Sequence, residues 1–110
     1  MADAVGRYDV FFADLNPKVG HEIQKIRPVV VISKNDMNTN LETVVVCPLT
    51  SRLHPRWRSR IQTVCEGSPA EIAVDQIRTI SKRRLVRRAG AIPAEDALKL
   101  RLLITEMYGG

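Results

Sequence analysis

The sequence predicts a mainly β fold with one C-terminal helix (α+β), built as a small, strongly bent antiparallel barrel. Short apolar segments recur about every ten residues, and residues typical of turns separate them. No long crossover helix lies between these segments, which argues against a βαβ arrangement. At 110 residues, 45% of them hydrophobic, the chain is expected to form one domain spanning residues 1–110.

The first half of the chain predicts three strands and one short helical turn. Tyr8–Leu15 is aromatic and partly alternating, and Asn16-Pro17 ends it. The apolar run Pro28–Ile32 predicts a second strand, with proline at its entry because proline cannot donate to a ladder. Ser33–Asn38 is rich in capping side chains and predicts a single helical turn before the third strand, Thr43–Leu49.

The second half predicts three more strands. They are expected at Arg60–Val64, Glu71–Asp75 and Leu85–Ala91. Turn residues predict reversals at Gly67-Ser68-Pro69 and around Ser81–Arg84. These connections are shorter than the crossover that parallel strands need, so neighbouring strands are expected to be antiparallel.

The C-terminal segment has the pattern of an amphipathic helix. Pro93 is predicted at the first helical position, Glu95 and Asp96 fall in the first turn, and Gly109-Gly110 ends the helix. Apolar residues follow at spacings of three and four: Ala97, Leu100, Leu103, Ile104 and Met107. This apolar face is expected to cover the sheet.

Composition limits the possible functions. The chain has 17 Lys and Arg against 12 Asp and Glu, a formal charge of +5 that favours association with polyanions. Cys47 and Cys65 lie far apart in apolar segments, which indicates reduced core thiols and argues against a metal site or a disulfide framework. No apolar run approaches a membrane span of about 20 residues, and the first residues lack the order of a signal peptide, so a cytoplasmic protein with no membrane association is expected.

The segment GHEIQKIRPVVVIS places several charges directly before a buried strand. Viewed alone, Arg27 is most simply a solvated cation at a strand end. If the second and third strands are antiparallel, however, Arg27 at the start of one lies near Thr50-Ser51 at the end of the other. A guanidinium beside two hydroxyls is suited to holding a phosphodiester, because it donates paired hydrogen bonds to phosphate oxygens.

Cleavage of RNA at such a site needs little more from the protein. The 2′-hydroxyl of RNA supplies the nucleophile, so a proton acceptor, a proton donor and charge stabilisation suffice. The candidates are His21, Glu22, Asp75 and Arg78. Each has a simpler interpretation: a loop histidine, a surface ion-pair partner for the glutamate, and an Asp75–Arg78 pair across a turn.

A second basic feature is the segment HPRWRSR, residues 54–60, where three arginines surround the only tryptophan. In a strand, Arg56, Arg58 and Arg60 would share one face; in an open loop, Trp57 would stack on a base while the arginines follow phosphates. A solvated hairpin is the alternative. The cluster Lys82-Arg83-Arg84 with Arg87-Arg88 is interpreted as a basic face for general backbone attraction.

The order of motifs along the chain is informative. It contains YDVFFADLNP, GHEIQKIRPVVVIS, VVVCPLTS and DQIRTI, followed by the C-terminal helix. This order resembles that of the MazF/PemK (Kid-like) family of toxin endoribonucleases, from Tyr8 to Tyr108. The resemblance implies a compact PemK-like barrel related in shape to SH3 barrels, a homodimer, and metal-independent, sequence-specific cleavage of single-stranded RNA without a cofactor. It also implies an antitoxin whose acidic flexible segment occupies the RNA-binding groove and through which alone DNA would be contacted.

The resemblance also assigns roles by position. Arg27 matches the arginine of the family's RP motif and Thr50-Ser51 matches the hydroxyl pair after the third strand, which together imply the catalytic pair. His21 and Asp75 match positions of acid–base chemistry or RNA contact. Glu22, Gln76 and Arg78 match the surrounding motif, which implies that they contact RNA or assist catalysis, and Lys25 is also expected to contact RNA.

The chain departs from the family pattern at three positions. Ala73 stands where Kid-like members place a catalytic arginine, which favours the arrangement centred on Arg27. Lys25 replaces a common glycine, and Ser81 replaces a common aspartate. Two other classes of function stay open on the sequence: a non-catalytic basic barrel that binds nucleic acid or an acidic peptide, and an inactive toxin relative that acts as a regulator with its antitoxin.

Overall fold

The computed structural model of the chain describes residues 4–15 and 25–109. These residues form seven strands and two helices. The strands are β1 (Asp9–Asp14), β2 (Ile26–Val31), β3 (Thr43–Thr50), β4 (Arg60–Cys65), β5 (Ser68–Ala73), β6 (Arg78–Ser81) and β7 (Leu85–Ala91), and the helices are α1 (Asn35–Asn40) and α2 (Ala94–Tyr108). No helix of this part of the chain is long and apolar enough to cross a membrane.

Every strand pairing is antiparallel, and the strands follow the order β4-β5-β3-β2-β1-β7. The outer edge of β3 is shared, since β5 pairs with its last residues and β6 with its first. The sheet curls into a half-barrel, and an ion pair of 3.2 Å between Arg87 on β7 and Glu66 beside β4 joins its two ends. The predicted mainly β fold with a C-terminal helix is confirmed.

Strand alternation creates two apolar clusters on opposite faces of the sheet. One face packs against α2 through a cluster that includes Val30, Leu49, Ile72 and Leu100. The other face carries a second cluster with Phe11, Val29, Val31, Val46 and Ile80. β2 and β3 are therefore buried on both faces, which explains the continuous apolar runs in their sequences.

Helix α2 covers the first face as its spacing predicted. Leu100 is fully buried, and the remaining positions of the predicted stripe belong to or pack against the same cluster: Ala97, Leu103, Ile104 and Met107. Pro93 is the N-cap rather than the first helical residue, and Gly109 is the C-cap. A hydrogen bond of 2.8 Å from the Thr63 hydroxyl to the buried Asp96 carboxylate fixes the start of the helix on β4.

The second strand starts earlier than predicted. β2 begins at Ile26, so Pro28 is its third residue and pairs with Phe12 of β1. Pairing with β3 begins only at Val29. Proline has no N–H to donate. It is tolerated at position 28 because β2 pairs with β3 only from Val29 onwards.

The fifth strand also differs from the prediction. β5 spans Ser68–Ala73, and the turn before it consists of Glu66 and Gly67, whose φ values of 49° and 79° suit a two-residue hairpin turn. β3 stops at Thr50, opposite Glu71, so Pro69 lies on an edge that no strand occupies. The strand was predicted to continue to Asp75, but Val74–Gln76 forms a 3₁₀ turn.

Strand β6 was not predicted. It has only four residues, three of them polar, and such a short segment has no apolar pattern that would indicate a strand. Its position follows from the long β3, whose first half offers an unpaired edge after β5 has paired with the second half. The predicted turn around Ser81–Arg84 is a 3₁₀ turn over Lys82–Arg84.

The packing of α2 leads to a stability prediction. Leu100→Ala should lower the free energy of unfolding by about 2–5 kcal/mol, because it empties a fully buried site. Leu102→Ala, on the same helix at a side chain that is 60% exposed, should change it by about 0.5 kcal/mol or less. Urea denaturation measures both. Equal losses in the two variants would show that α2 does not pack as described.

Candidate functional site

Strand register collects polar side chains in one row across the sheet. The β2–β3 pairing runs through Val29 opposite Pro48, so two residues further along Arg27 comes level with Thr50. Thr50 is opposite Glu71 on β5, and Glu71 is opposite Gln62 on β4. Directly opposed residues point to the same side of a sheet, so this polar row continues the face that carries the second apolar cluster.

Arg27 and Thr50 lie at the accessible end of this row. Arg27 is exposed and Thr50 is half-buried, with Ser51 exposed beside it. The Thr50 side-chain oxygen accepts a hydrogen bond of 3.0 Å from the backbone N–H of Arg52. The hydroxyl is held in place by this bond and keeps its own proton to donate.

A groove of about 580 Å³ runs beside the polar row. Its cationic side chains come from four separate segments of the chain: Lys25, Arg27, Arg52, Arg60 and Arg78. Within residues 4–15 and 25–109, no Asp or Glu lines it, and Arg27, Arg52 and Arg78 make no ion pair. The groove therefore presents positive charge that its own lining does not neutralise, and it suits a polyanion.

Behind the groove lies a buried carboxylate. Glu71 is 0% exposed and accepts hydrogen bonds from the His54 backbone N–H at 2.6 Å, from Gln62 Nε2 at 2.6 Å and from Arg60 Nη1 at 2.8 Å. Burial alone would raise the pKa of Glu71, but these hydrogen bonds outweigh it and hold the pKa below the ordinary value. Glu71 is therefore charged and connects β5 to β4 and to the loop after β3.

Arg60 is the second member of this network. Its side chain is 6% exposed, and its Nε donates to Asp75 Oδ1 at 2.9 Å while Nη1 binds Glu71. Burial would raise the pKa of Asp75, but the hydrogen bonds from Arg60 and Ser59 lower it. The alternative that Asp75 pairs with Arg78 is wrong, because Arg60 reaches across from β4, where it is paired with Ala73.

The tryptophan loop packs on the same network. The ring of His54 stacks on Trp57 with centroids 3.9 Å apart, and the Arg60 guanidinium lies 4.6 Å from the Trp57 ring centre. Trp57 remains 49% exposed. Arg58 is exposed and pairs with Glu106 of α2 at 3.3 Å, and Arg56 is exposed in the loop. Arg60, which the sequence grouped with these two arginines, is instead buried.

The other predicted site residues fall in two groups. Gln76 and Arg78 line the groove together with Lys25, and Asp75 stands behind them on the 3₁₀ turn. His21 and Glu22, the predicted proton-transfer residues, lie outside the described residues. In the part of the chain that is described, no three His, Cys, Asp or Glu side chains form a group that could hold a metal ion.

Sequence reasoning missed the residues that support the site. Arg52 and His54 carried no signal, because they lie in a loop whose path the sequence does not determine. Glu71 did carry one, since a glutamate inside the apolar run PAEIAV is a candidate for a buried, paired charge. Its partners Arg60 and Gln62 became apparent only with the β4–β5 register.

Neither cysteine lines the groove. Each is a free thiol, with Cys47 buried and Cys65 half-buried. Burial, with a smaller contribution from Asp75, raises the pKa of Cys47 to about 12. The Cys47 thiol is therefore protonated at neutral pH and packs as an apolar side chain.

Comparison with known proteins supplies the family context. Residues 6–108 match the family model described as PemK-like, MazF-like toxin of type II toxin–antitoxin system. Similar solved structures include the MazE–MazF complex of Deinococcus radiodurans, with a TM-score of 0.84 and 21% identity over 97% of each chain. MazF from the same organism has a TM-score of 0.80 and 21% identity, over 98% of this chain and 99% of the other. An endoribonuclease in complex with its cognate antitoxin, from a mycobacterial species, has a TM-score of 0.78 and 19% identity, over 97% of this chain and 95% of the other. At these identities the structural likeness shows the fold.

The buried network leads to a prediction about stability and pH. Glu71→Gln should lower the free energy of unfolding at pH 7 by about 3–5 kcal/mol, because it leaves buried Arg60 without one of its two carboxylates. A lowered folded-state pKa contributes stability that is complete above the unfolded value of about 4.3 and is lost as the pH falls through the folded value. The difference in the free energy of unfolding between wild type and Glu71→Gln should therefore become smaller as the pH is lowered.

Urea denaturation at a series of pH values measures this difference. Glu42→Gln is the matched control, because Glu42 is exposed and its loss should change stability by about 0.5 kcal/mol or less. A Glu71→Gln variant as stable as wild type at pH 7 would contradict the assigned charge network. So would a difference that stays constant throughout acidification.

Proposed function

The chain belongs to the PemK-like, MazF-like toxin family of type II toxin–antitoxin systems, and we propose that it is an endoribonuclease. Its substrate in this proposal is single-stranded RNA, cut at short sequences with the 2′-hydroxyl as nucleophile. Loss of mRNA, or of other RNA of the translation machinery, would inhibit translation and growth. The same family membership supports a single domain over the length of the chain.

One observation carries the proposal: an exposed arginine and a fixed hydroxyl share the rim of a cationic groove. Arg27 and Thr50 come from neighbouring strands that are buried on both faces, so their separation is set by the sheet and not by a loop. A guanidinium donates two parallel hydrogen bonds to phosphate oxygens, and a hydroxyl donates a third. Such fixed donors stabilise charge that develops in a transition state.

The reaction follows from placing the scissile phosphate between these two groups. The 2′-oxygen forms a bond to phosphorus while the bond from phosphorus to the 5′-oxygen of the next nucleotide breaks. The 2′-hydroxyl loses its proton and the leaving 5′-oxygen gains one, which gives a 2′,3′-cyclic phosphate and a 5′-hydroxyl. Arg27 neutralises the charge on the phosphorane oxygens, and Thr50 with Ser51 positions the phosphate.

Proton transfer is assigned to the segment before β2. His21 and Glu22 are the candidates in this proposal, because an imidazole or a carboxylate can accept the proton of the 2′-hydroxyl. Asp75 is poorly suited to that role, since Arg60 occupies one of its oxygens and stabilises its charged form. Its contribution is to hold the groove wall that carries Gln76 and Arg78.

The remaining cations extend the binding surface. Lys25, Arg52 and Arg78 are placed to follow the phosphates of a single strand along the groove. Arg56, Trp57 and Arg58 form an adjacent exposed surface for one more nucleotide. Because His54 and Arg60 already pack on the indole ring, Trp57 contributes the exposed part of its side chain. RNA affinity should accordingly fall as the salt concentration rises.

The same groove accounts for the proposed partners. A groove lined by five cationic side chains, with no acidic residue among its described lining, also fits the acidic flexible segment of an antitoxin. The antitoxin would then inhibit by occupying the RNA site, and DNA would be reached only through it. A second copy of the chain completes the proposed assembly, as a homodimer.

Arg27→Ala tests the proposal. It should lower the cleavage rate of RNA by about two to three powers of ten, the usual cost of losing one charge-stabilising donor. The melting temperature should stay unchanged, because Arg27 is exposed. Arg83→Ala is the control: it removes one exposed positive charge from the basic cluster outside the groove and should leave the rate near that of wild type.

Single-turnover kinetics on one RNA oligonucleotide, and on DNA of the same sequence, give the result. DNA should remain uncut because it lacks the nucleophile. An Arg27→Ala variant as active as Arg83→Ala would refute the assignment of Arg27. Cleavage of DNA at the rate of RNA would refute attack by the 2′-hydroxyl.

A further inference from the structure

A second pocket lies on the other side of Arg27 and Thr50. It has a volume of about 460 Å³, and both residues line it as well as the groove. The pocket exists because β3 ends before its neighbour: Thr50 is opposite Glu71, while β5 extends three residues further, to Ser68. The beginning of β2 and the β4–β5 hairpin therefore face each other across a gap that none of the seven described strands fills.

Strand alternation separates the two cavities. Arg27, Leu49 and Thr50 line both cavities, but Pro48 of β3 lines only the groove, whereas Ile26 and Pro28 of β2 line only the pocket. Alternate residues point to opposite faces of a sheet. The pair Arg27 and Thr50 thus stands at an edge with a cavity on each side, and one strand of a ligand crossing this edge contacts both.

The linings of the two cavities differ in chemistry. The groove has five cationic side chains, while among the described residues the only charges on the pocket are Lys25 and Arg27, which it shares with the groove. The rest of the pocket is apolar or carries a hydroxyl or thiol: its walls include Pro28, Leu49 and Pro69, and Ser51 and Ser68 supply hydroxyls. Cations hold phosphates, whereas flat apolar walls with a few neutral hydrogen-bonding groups hold a planar heterocycle.

We propose that this pocket is a nucleobase subsite, which receives the base next to the phosphate held by Arg27 and Thr50. Pro28 and Pro69 provide surfaces for the ring, and the Ser68 hydroxyl contacts its polar edge. The inference rests on the proposed function and deepens it, because it assigns part of the sequence specificity to the β4–β5 hairpin. Ser68 becomes a specificity-determining residue.

The hairpin is built to hold its shape. β4 and β5 pair along six residues each, up to Cys65 opposite Ser68, and the tight turn at Glu66 and Gly67 closes the hairpin immediately beyond. Two hydrogen bonds from Arg87 of β7 to Glu66 tie the turn to the opposite end of the sheet. A wall fixed in this way discriminates between bases better than a flexible loop would, since binding does not have to order it.

Substitution of Ser68 tests the inference. Ser68→Phe should fill the pocket, and a strand position tolerates phenylalanine. Loss of one stacked base should slow cleavage of the preferred sequence by roughly 5- to 100-fold and abolish the preference at one position next to the cut. Val64→Phe is the matched control, because Val64 lies on the same hairpin, is 50% exposed and does not line the pocket.

The readout is sequencing of the ends produced from a random RNA pool by wild type and both variants. A Ser68→Phe variant with the rate and sequence profile of wild type overturns the inference, and so do equal losses in both variants. Wild type that cuts no RNA overturns the proposed function itself. The two failures are distinguishable. If only the inference fails, wild type still cleaves RNA and the pocket has no effect on its sequence preference.

Cys65 allows a second measurement without any substitution. It lines the pocket and is half-buried, whereas Cys47 is fully buried, so iodoacetamide should label Cys65 first. Burial raises the pKa of the Cys65 thiol, so labelling is done at about pH 9. The probe is an oligonucleotide of the mapped RNA sequence with 2′-deoxyribose at the cut, so that it cannot be cleaved. At ten times its Kd, this oligonucleotide should slow the labelling of Cys65 by about tenfold.

The same oligonucleotide without the base next to the cut should protect Cys65 much less. Fluorescence anisotropy confirms in parallel that both oligonucleotides are bound. Labelling of Cys65 at the free rate while the complete oligonucleotide is bound would overturn the inference. Equal protection by the two oligonucleotides would also overturn it, because the base would then not be the group that enters the pocket.

Discussion

The buried carboxylate of Glu71 is the interaction on which the rest of the site depends. A charge that is 0% exposed is stable only when its oxygens are satisfied, and here three donors satisfy them: Arg60, Gln62 and the His54 backbone. These donors come from β4 and from the loop after β3. The need to pair one charge therefore fixes the wall of the groove and brings Arg60 against both Asp75 and Trp57.

This constraint separates two kinds of positive charge in the groove. Arg60 is held by carboxylates and acts as part of the framework, whereas Arg27, Arg52 and Arg78 face the groove without a carboxylate partner among the described residues. The framework thus neutralises the arginine that would otherwise attract phosphate away from the rim. Positive charge is left where Arg27 and Thr50 stand, between the cationic groove and a pocket whose other described walls are apolar or carry a hydroxyl or thiol.

Much of this arrangement was predictable from the sequence, because local patterns determine it. Period-two and period-3.6 apolar patterns gave the long strands and α2, and antiparallel pairing of two consecutive strands brought Arg27 near Thr50. The short β6 and the early start of β5 were not predictable, since each depends on which edge of β3 is left unpaired. Arg60 was assigned to the wrong environment because its partner Glu71 is eleven residues away, in a register that sequence pattern alone does not specify.

The central claim is that this rim cleaves RNA with the substrate's own 2′-hydroxyl. Its most direct test is to incubate the purified chain with RNA in EDTA and to determine the chemistry of both new ends. The expected result is a set of cuts at a short sequence that leave a 5′-hydroxyl and a 2′,3′-cyclic phosphate. RNA that is bound but uncut would contradict it and indicate a binding module, and cuts that leave a 5′-phosphate would contradict the assigned nucleophile.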